Sequence, residues 1–234
     1  MSDVLQDQTK ATYDTVAATY AVVLPDTSFE ASLDLAMIQN FVDQHRDRDN
    51  AHILDAGCGA GRMITYLNSL DEDLTITGVD LSPTMIEHAK SMHPDNVIVE
   101  GDPAALPFPD SSVDGVLAWY SVIHTPTHEL AAIFNECHRI LRPSGLILVA
   151  YQSGTGERLI FHPYGLDVEL RAFLHKTPLV EAALHAAGFV IQASLDRAPR
   201  ATELHSQGFV LAKALKQKRR THRGGSAGLG CPMA

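Results

Sequence analysis

Apolar positions fall at Val4, Leu5, Tyr13, Val16, Ala17 and Tyr20, and again at Phe29, Leu33, Ala36, Met37, Phe41 and Val42. This imperfect helical spacing predicts two leading helices, over residues 3–20 and 29–45, with the first ended near Pro25. Beyond the polar stretch 46–50 the pattern changes. Short apolar runs at 53–54, 74–79, 97–99, 113–119 and 146–151 predict strands, and the windows 61–70, 83–92 and 128–141 between them predict helices. Strands alternating with helices of this length form βαβ units and a parallel sheet. Near the end, residues 178–188 predict a helix closed by glycine, 189–195 a strand, and 204–215 the region of a last strand. The intervening turn-rich segment is too short for a helix, so these two strands should pair antiparallel.

Composition narrows the class of molecule. At 234 residues, 45% hydrophobic and 20% charged, the chain is long enough for one domain with an added lid and too apolar for wholesale disorder. Five basic residues (Lys216, Lys218, Arg219, Arg220, Arg223) lie in the last nineteen positions, which leaves 13 basic against 28 acidic residues in 1–215. A body that acidic repels phosphate backbones and anionic membranes, so neither nucleic acid nor membrane is an expected partner. The Gly-rich basic segment 216–234 reads as a disordered tail. Three cysteines without CxxC spacing fit neither a disulfide framework nor a zinc site. The acidic N-terminus does not read as a secretory signal, and the longest apolar run, 145–151, is far below the roughly 20 residues of a membrane span. The expectation is a cytoplasmic protein.

Candidate chemistry begins at Ile53-Leu54-Asp55-Ala56-Gly57-Cys58-Gly59-Ala60-Gly61-Arg62, where a predicted strand runs into a predicted helix. Glycines there let the backbone approach a ligand, and the helix N-terminus offers unpaired N–H groups. The spacing is GxGxG rather than the GxGxxG of dinucleotide enzymes, and Asp55 ahead of it would repel a pyrophosphate and welcome a cation. Asp80, at the tip of the next strand, stands where a carboxylate reaches ribose hydroxyls in nucleotide-binding α/β folds, although it could equally cap the following helix in competition with Ser82. A third strand ends at Gly101-Asp102-Pro103-Ala104, where Asp102 could accept from an adenine amine or simply belong to a polar loop.

Taken together, the segments LDAGCGAGR (54–62), GVDLSPTM (78–85), GDPAALPFPDSSVD (101–114) and RILRPSG (139–145) resemble the class I S-adenosylmethionine-dependent methyltransferases of the small-molecule branch, strongly over about residues 40–155. The resemblance implies a Rossmann-like, seven-stranded, mostly parallel sheet with an antiparallel C-terminal strand, helices on both faces and an N-terminal helical lid over 1–48. Residues 49–215 would form the methyltransferase domain, with 151–176 as a substrate-cover insertion. S-adenosyl-L-methionine is the implied cofactor. Asp55, Gly57, Gly59 and Gly61 would hold its methionine ammonium, and Arg62 its carboxylate. Asp80 would bind the ribose, while Leu81 and Met85 line the adenine and Asp102, Pro103 and Ala104 face its edge. Pro103 stands where the family more often has Ala and removes one backbone donor. Trp119 would wall the sulfonium, and Tyr13 and Tyr20, seven apart on one helix face, would close over the cofactor.

Methyl transfer needs a base only if the acceptor is a hydroxyl, and histidine is the default candidate. His124 after the fourth strand, then His162 after the fifth, then His205 are the expected candidates; the other nine histidines read as surface or tail. The expected partner is a small-molecule acceptor, for a monomer or homodimer. Two other readings share this fold: a silent S-adenosylmethionine-binding regulator and, disfavoured by the GxGxG spacing, an NAD-dependent dehydrogenase.

Overall fold

The alternation of strands and helices folds as expected in a computed structural model that describes residues 3–215; the basic tail lies outside the described residues. In chain order the elements are α1 (Asp3–Val23), α2 (Ser32–Asp43), β1 (His52–Ala56), α3 (Arg62–Leu70), β2 (Thr75–Asp80), α4 (Pro83–Met92), β3 (Val97–Glu100), β4 (Val113–Trp119), α5 (Leu130–Ile140), β5 (Leu141–Ser153), β6 (Glu157–Phe161), β7 (Glu169–Phe173), α6 (Thr177–Ala186), β8 (Phe189–Arg197) and β9 (Ser206–Ala214).

Seven strands form one sheet in the order β3-β2-β1-β4-β5-β9-β8. The first five are mutually parallel, and β9 runs antiparallel to both β5 and β8. The order reverses between β1 and β4, which opens a crevice at their carboxyl ends. Every residue of β4 is buried, because helices cover both faces. On one face Ile133, Phe134, Val180 and Leu184 of α5 and α6 meet Val116, Ile147 and Val210. On the other, Ile38, Phe41, Ile64, Leu67 and Ile86 of α2, α3 and α4 meet Ile53, Leu117, Leu148 and Phe209.

The two leading helices play different parts. Whereas α2 is built into the sheet layer, α1 lies across the crevice, its Val16 and Ala17 packed on Met85 with Tyr13, Tyr20 and Tyr164 around them. Asp14 ties α1 to the start of α4, accepting from the Ser82 hydroxyl at 2.6 Å. Segment 151–176 is not an irregular loop: β6 and β7 pair as an antiparallel hairpin, fastened to α1 by the Thr12 hydroxyl donating to the Glu169 carbonyl. The fifth strand starts at Leu141, where helix was expected, because Pro143 forces the residue before it out of helical conformation. No described helix is long and apolar enough to cross a membrane, and no cluster of three metal-ligating side chains occurs among the described residues.

Candidate active site

A cavity of about 500 Å³ opens at the carboxyl ends of β1, β2, β4 and β5, roofed by α1. Its floor is the turn after β1. Gly57, Gly59 and Gly61 all have positive φ, and a Cβ on Gly57 would stand 2.3 Å from that of Ser121, so the turn can pass under the β4 exit only as glycine. Gly59 N–H donates to one Asp80 oxygen at 2.8 Å and Ser82 N–H to the other at 2.9 Å. The Ser82 hydroxyl accepts from Met85 N–H and caps α4, so Asp80 is spared the capping role and lines the cavity.

Asp55 is 1% exposed, and neither carboxylate oxygen has a hydrogen-bond partner. Burial raises its pKa to about 7, with the Asp80 charge adding to the rise and Arg62 opposing it. An orphaned buried acid beside a second acid is a cradle for a group that brings positive charge and N–H donors. Burial likewise pushes Asp80 up, against the backbone N–H groups that hold it down.

The roof and the far wall are aromatic. Tyr20 packs edge-on against Tyr13 and Tyr164, with its hydroxyl next to Gly59. Tyr13 donates to Nε2 of His124 at 2.8 Å, and His124 Nδ1 lies 2.7 Å from the Arg171 carbonyl. A carbonyl only accepts, so Nδ1 carries the imidazole proton and Nε2 is the acceptor. Burial lowers the His124 pKa to about 4, which keeps the ring neutral. Trp119 ends β4, and Tyr120 after it adopts positive φ, unusual for a bulky residue, to swing the chain into the turn Ser121–His124.

Of the residues expected at the site, Tyr13, Tyr20, Gly57, Gly59, Arg62, Asp80, Leu81, Met85, Pro103, Trp119 and His124 line the cavity. Asp55 lies buried at the end of β1, and Gly61 caps α3. Asp102 is not among the residues lining the cavity: one of its carboxylate oxygens accepts from Ala104 N–H at 2.8 Å, Ala104 packs towards the core, and Gly101 and Pro103 line the edge. His162 is also absent from the lining. Its side chain is 67% exposed beside Asp167, because positive φ at both His162 and Tyr164 turns the histidine out and the tyrosine in. Nor does His205 line the cavity. Two of the histidines read as surface are buried, His45 and His175, each bound to backbone carbonyls.

Sequence reasoning missed a network of charges at the mouth. Glu30, between α1 and α2, accepts from Arg62 at 2.5 Å and from the Trp119 indole at 3.1 Å. Arg197 grips Asp34 through two hydrogen bonds, at 2.7 and 2.8 Å, and also reaches Glu203, which in turn holds Arg200. Burial alone would lower the Arg62 pKa, but Tyr20 and Glu30 push it above its ordinary value. Nothing in a single sequence marks Glu30, since its partners lie 32 and 89 residues away.

A glycine turn at the first β-to-α junction, an acid at the tip of the second strand and a crevice at the switch point define a nucleoside-cofactor-binding α/β domain. The chain matches a methyltransferase domain model over residues 54–149 and is similar there to the S-adenosylmethionine-dependent methyltransferases, whose cofactor is S-adenosylmethionine. It is 34% identical over 149 residues to a Mycolicibacterium smegmatis protein assigned as an S-adenosylmethionine-dependent methyltransferase, covering 61% of this chain and 53% of that protein. It is 35% identical over 101 residues to the malonyl-[acyl-carrier protein] O-methyltransferase of Pseudescherichia vulneris, covering 43% of this chain and 39% of that one. The chain thus spans between about a third and three fifths of the length of such curated relatives. In fold it is similar to the 4+2 cyclase SpnF, with a TM-score of 0.68 at 19% identity over 91% of this chain and 97% of that one. The orphaned Asp55 carboxylate and the glycine turn fit the cofactor, whose ammonium supplies the charge and donors that Asp55 lacks.

Proposed function

We propose that the chain moves a methyl group from S-adenosylmethionine to a small-molecule acceptor by in-line displacement. The observation that carries this reading is Asp55, a fully buried carboxylate without a partner, beside a turn that only glycines can form. When bound, the cofactor supplies a methyl group already activated on a sulfonium. What the chain must add is proximity and orientation, worth roughly 7–11 kcal/mol of a barrier in favourable cases.

In this reading Asp55 and the N–H groups around Gly57, Gly59 and Gly61 hold the ammonium, and Arg62, anchored by Glu30, stands at the carboxylate end. Asp80 keeps free lone pairs beyond its two backbone bonds and takes the ribose hydroxyls. Leu81, Met85, Gly101 and Pro103 border the base, while Asp102 and Ala104 shape that edge from behind. Tyr13 and Tyr20 on α1 exclude water, and Trp119 offers its ring to the cationic end. For a hydroxyl acceptor, Tyr13 takes the acceptor's proton as it passes its own to His124 Nε2, and the Arg171 carbonyl holds the ring in the tautomer that can receive it.

Calorimetric titration with S-adenosylmethionine at pH 6 and pH 8 tests the reading. One site per chain, bound more tightly at pH 8 where Asp55 is ionised, is expected; no heat at either pH would remove it.

A further inference from the structure

The cavity is longer than its cofactor end, and the remainder is lined by the exits of β4 and β5, the start of β9 and the loop before it. Three cationic side chains line the whole cavity: Lys10, Arg62 and Arg200. Each is already matched by a carboxylate, Lys10 by Glu100, Arg62 by Glu30 at 2.5 Å and Arg200 by Glu203 at 2.8 Å. Arg197, behind them, is spent on Asp34 and Glu203. His124 is neutral and already engaged at both nitrogens. Arg158 on β6 has no carboxylate partner among the described residues and a buried Nε without a hydrogen-bond partner; its charge reaches His124, but it is not itself part of the cavity lining. Beyond the cofactor's carboxylate at Arg62, an anion entering this cavity would therefore have to compete with a carboxylate already paired to Lys10 or Arg200, and at Arg200 the displaced Glu203 is largely buried.

What the lining does leave unsatisfied is neutral. Gln152, at the end of β5, lines the cavity, and its buried side-chain oxygen has no hydrogen-bond partner. Its neighbour across the sheet, Gln207, is already donating to the His205 carbonyl. The same cavity is also lined by the rings of Trp119 and Tyr120 at the β4 exit and of Tyr164 in the roof, which favour a flat partner.

We infer that the methyl acceptor is an uncharged molecule with a flat apolar ring carrying, besides the group that is methylated, a hydroxyl or amine that donates to the Gln152 side chain, and that free carboxylates and phosphate esters are rejected. This rests on the reading of the cavity as a methyltransferase site, so the experiment first titrates S-adenosylhomocysteine into the protein; absence of binding there defeats that reading. With the protein saturated, 1-naphthol and 1-naphthoate share a ring and differ in charge. Calorimetry should find 1-naphthol at least tenfold tighter. Gln152→Leu should weaken 1-naphthol about tenfold, and Gln152→Glu, which keeps an acceptor oxygen, should retain it. The inference is overturned if 1-naphthol does not bind, if Gln152→Leu folds and binds it as well as wild type, or if 1-naphthoate binds equally or better. In the last case, loss of 1-naphthoate in Arg158→Gln would name Arg158 as an anion anchor.

Discussion

The Tyr13 hydroxyl donates to Nε2 of His124 across 2.8 Å, joining the lid helix to the turn after β4. His124 is neutral and already carries its proton on Nδ1, so it can only receive. Tyr13→Phe and His124→Asn should each lower kcat by about 10²-fold with a hydroxyl acceptor, the low end of general-base effects. The double variant should be little worse than either single one, because the two side chains act as a unit. Additive losses in steady-state kinetics would separate them.

Stability should respond to the same burial. His124 titrates at about 4 in the fold against 6.5 ordinarily, so between these pH values the unfolded chain binds a proton that the folded chain does not. Stability is therefore lost as pH falls through that window, by about 3 kcal/mol from this residue. His45, His93 and His175 are shifted the same way by burial. Melting curves from pH 7 to 4 should thus show a shallower acid decline for His124→Asn, though not a flat one.

Asp55 works in the opposite sense. With its carboxyl raised to about 7, the folded chain holds a proton that the unfolded chain releases near 4, so stability falls as pH rises between those values. The penalty reaches roughly 4 kcal/mol above pH 7 when no cation is bound. Asp55→Asn should melt higher than wild type at pH 8 without ligand and bind S-adenosylmethionine at least tenfold more weakly. A variant that melts lower and binds normally would reverse this assignment.

Glu30 holds a buried guanidinium and an indole at once. Glu30→Ala leaves Arg62 without its carboxylate and should cost about 3–5 kcal/mol in denaturant titration. Replacing both residues by leucine should recover most of it, since the lone buried charge is then gone.

Gly57→Ala sets a Cβ against Ser121 and a side chain at φ +84°. The combined cost should be about 3 kcal/mol. Adding Ser121→Gly removes the contact but not the strained φ, so thermal unfolding should recover only part.

Much of this was legible in the chain. Periodicity of 2 and 3.6 gave the strand and helix order, and the glycine turn with Asp80 at the next strand tip gave residues that line the cavity, because these features are local. The β6–β7 hairpin escaped because its strands are short and half exposed, so their alternation is weak. His162 and Tyr164 lie two residues apart, and only the backbone conformation between them decides which faces in. Glu30, Asp34, Arg197 and Glu203 are charges from segments remote in sequence, whose pairing no local pattern encodes. His45 and His175 are polar residues whose burial depends on carbonyls supplied by other elements or by an earlier helical turn.

In a crystal grown with excess S-adenosylhomocysteine, the ligand's ammonium is expected against Asp55, its ribose hydroxyls on Asp80 and its sulfur facing Trp119, under a roof of Tyr13 and Tyr20. Density for the ligand elsewhere, or Asp55 still without a partner in the liganded protein, would contradict that placement.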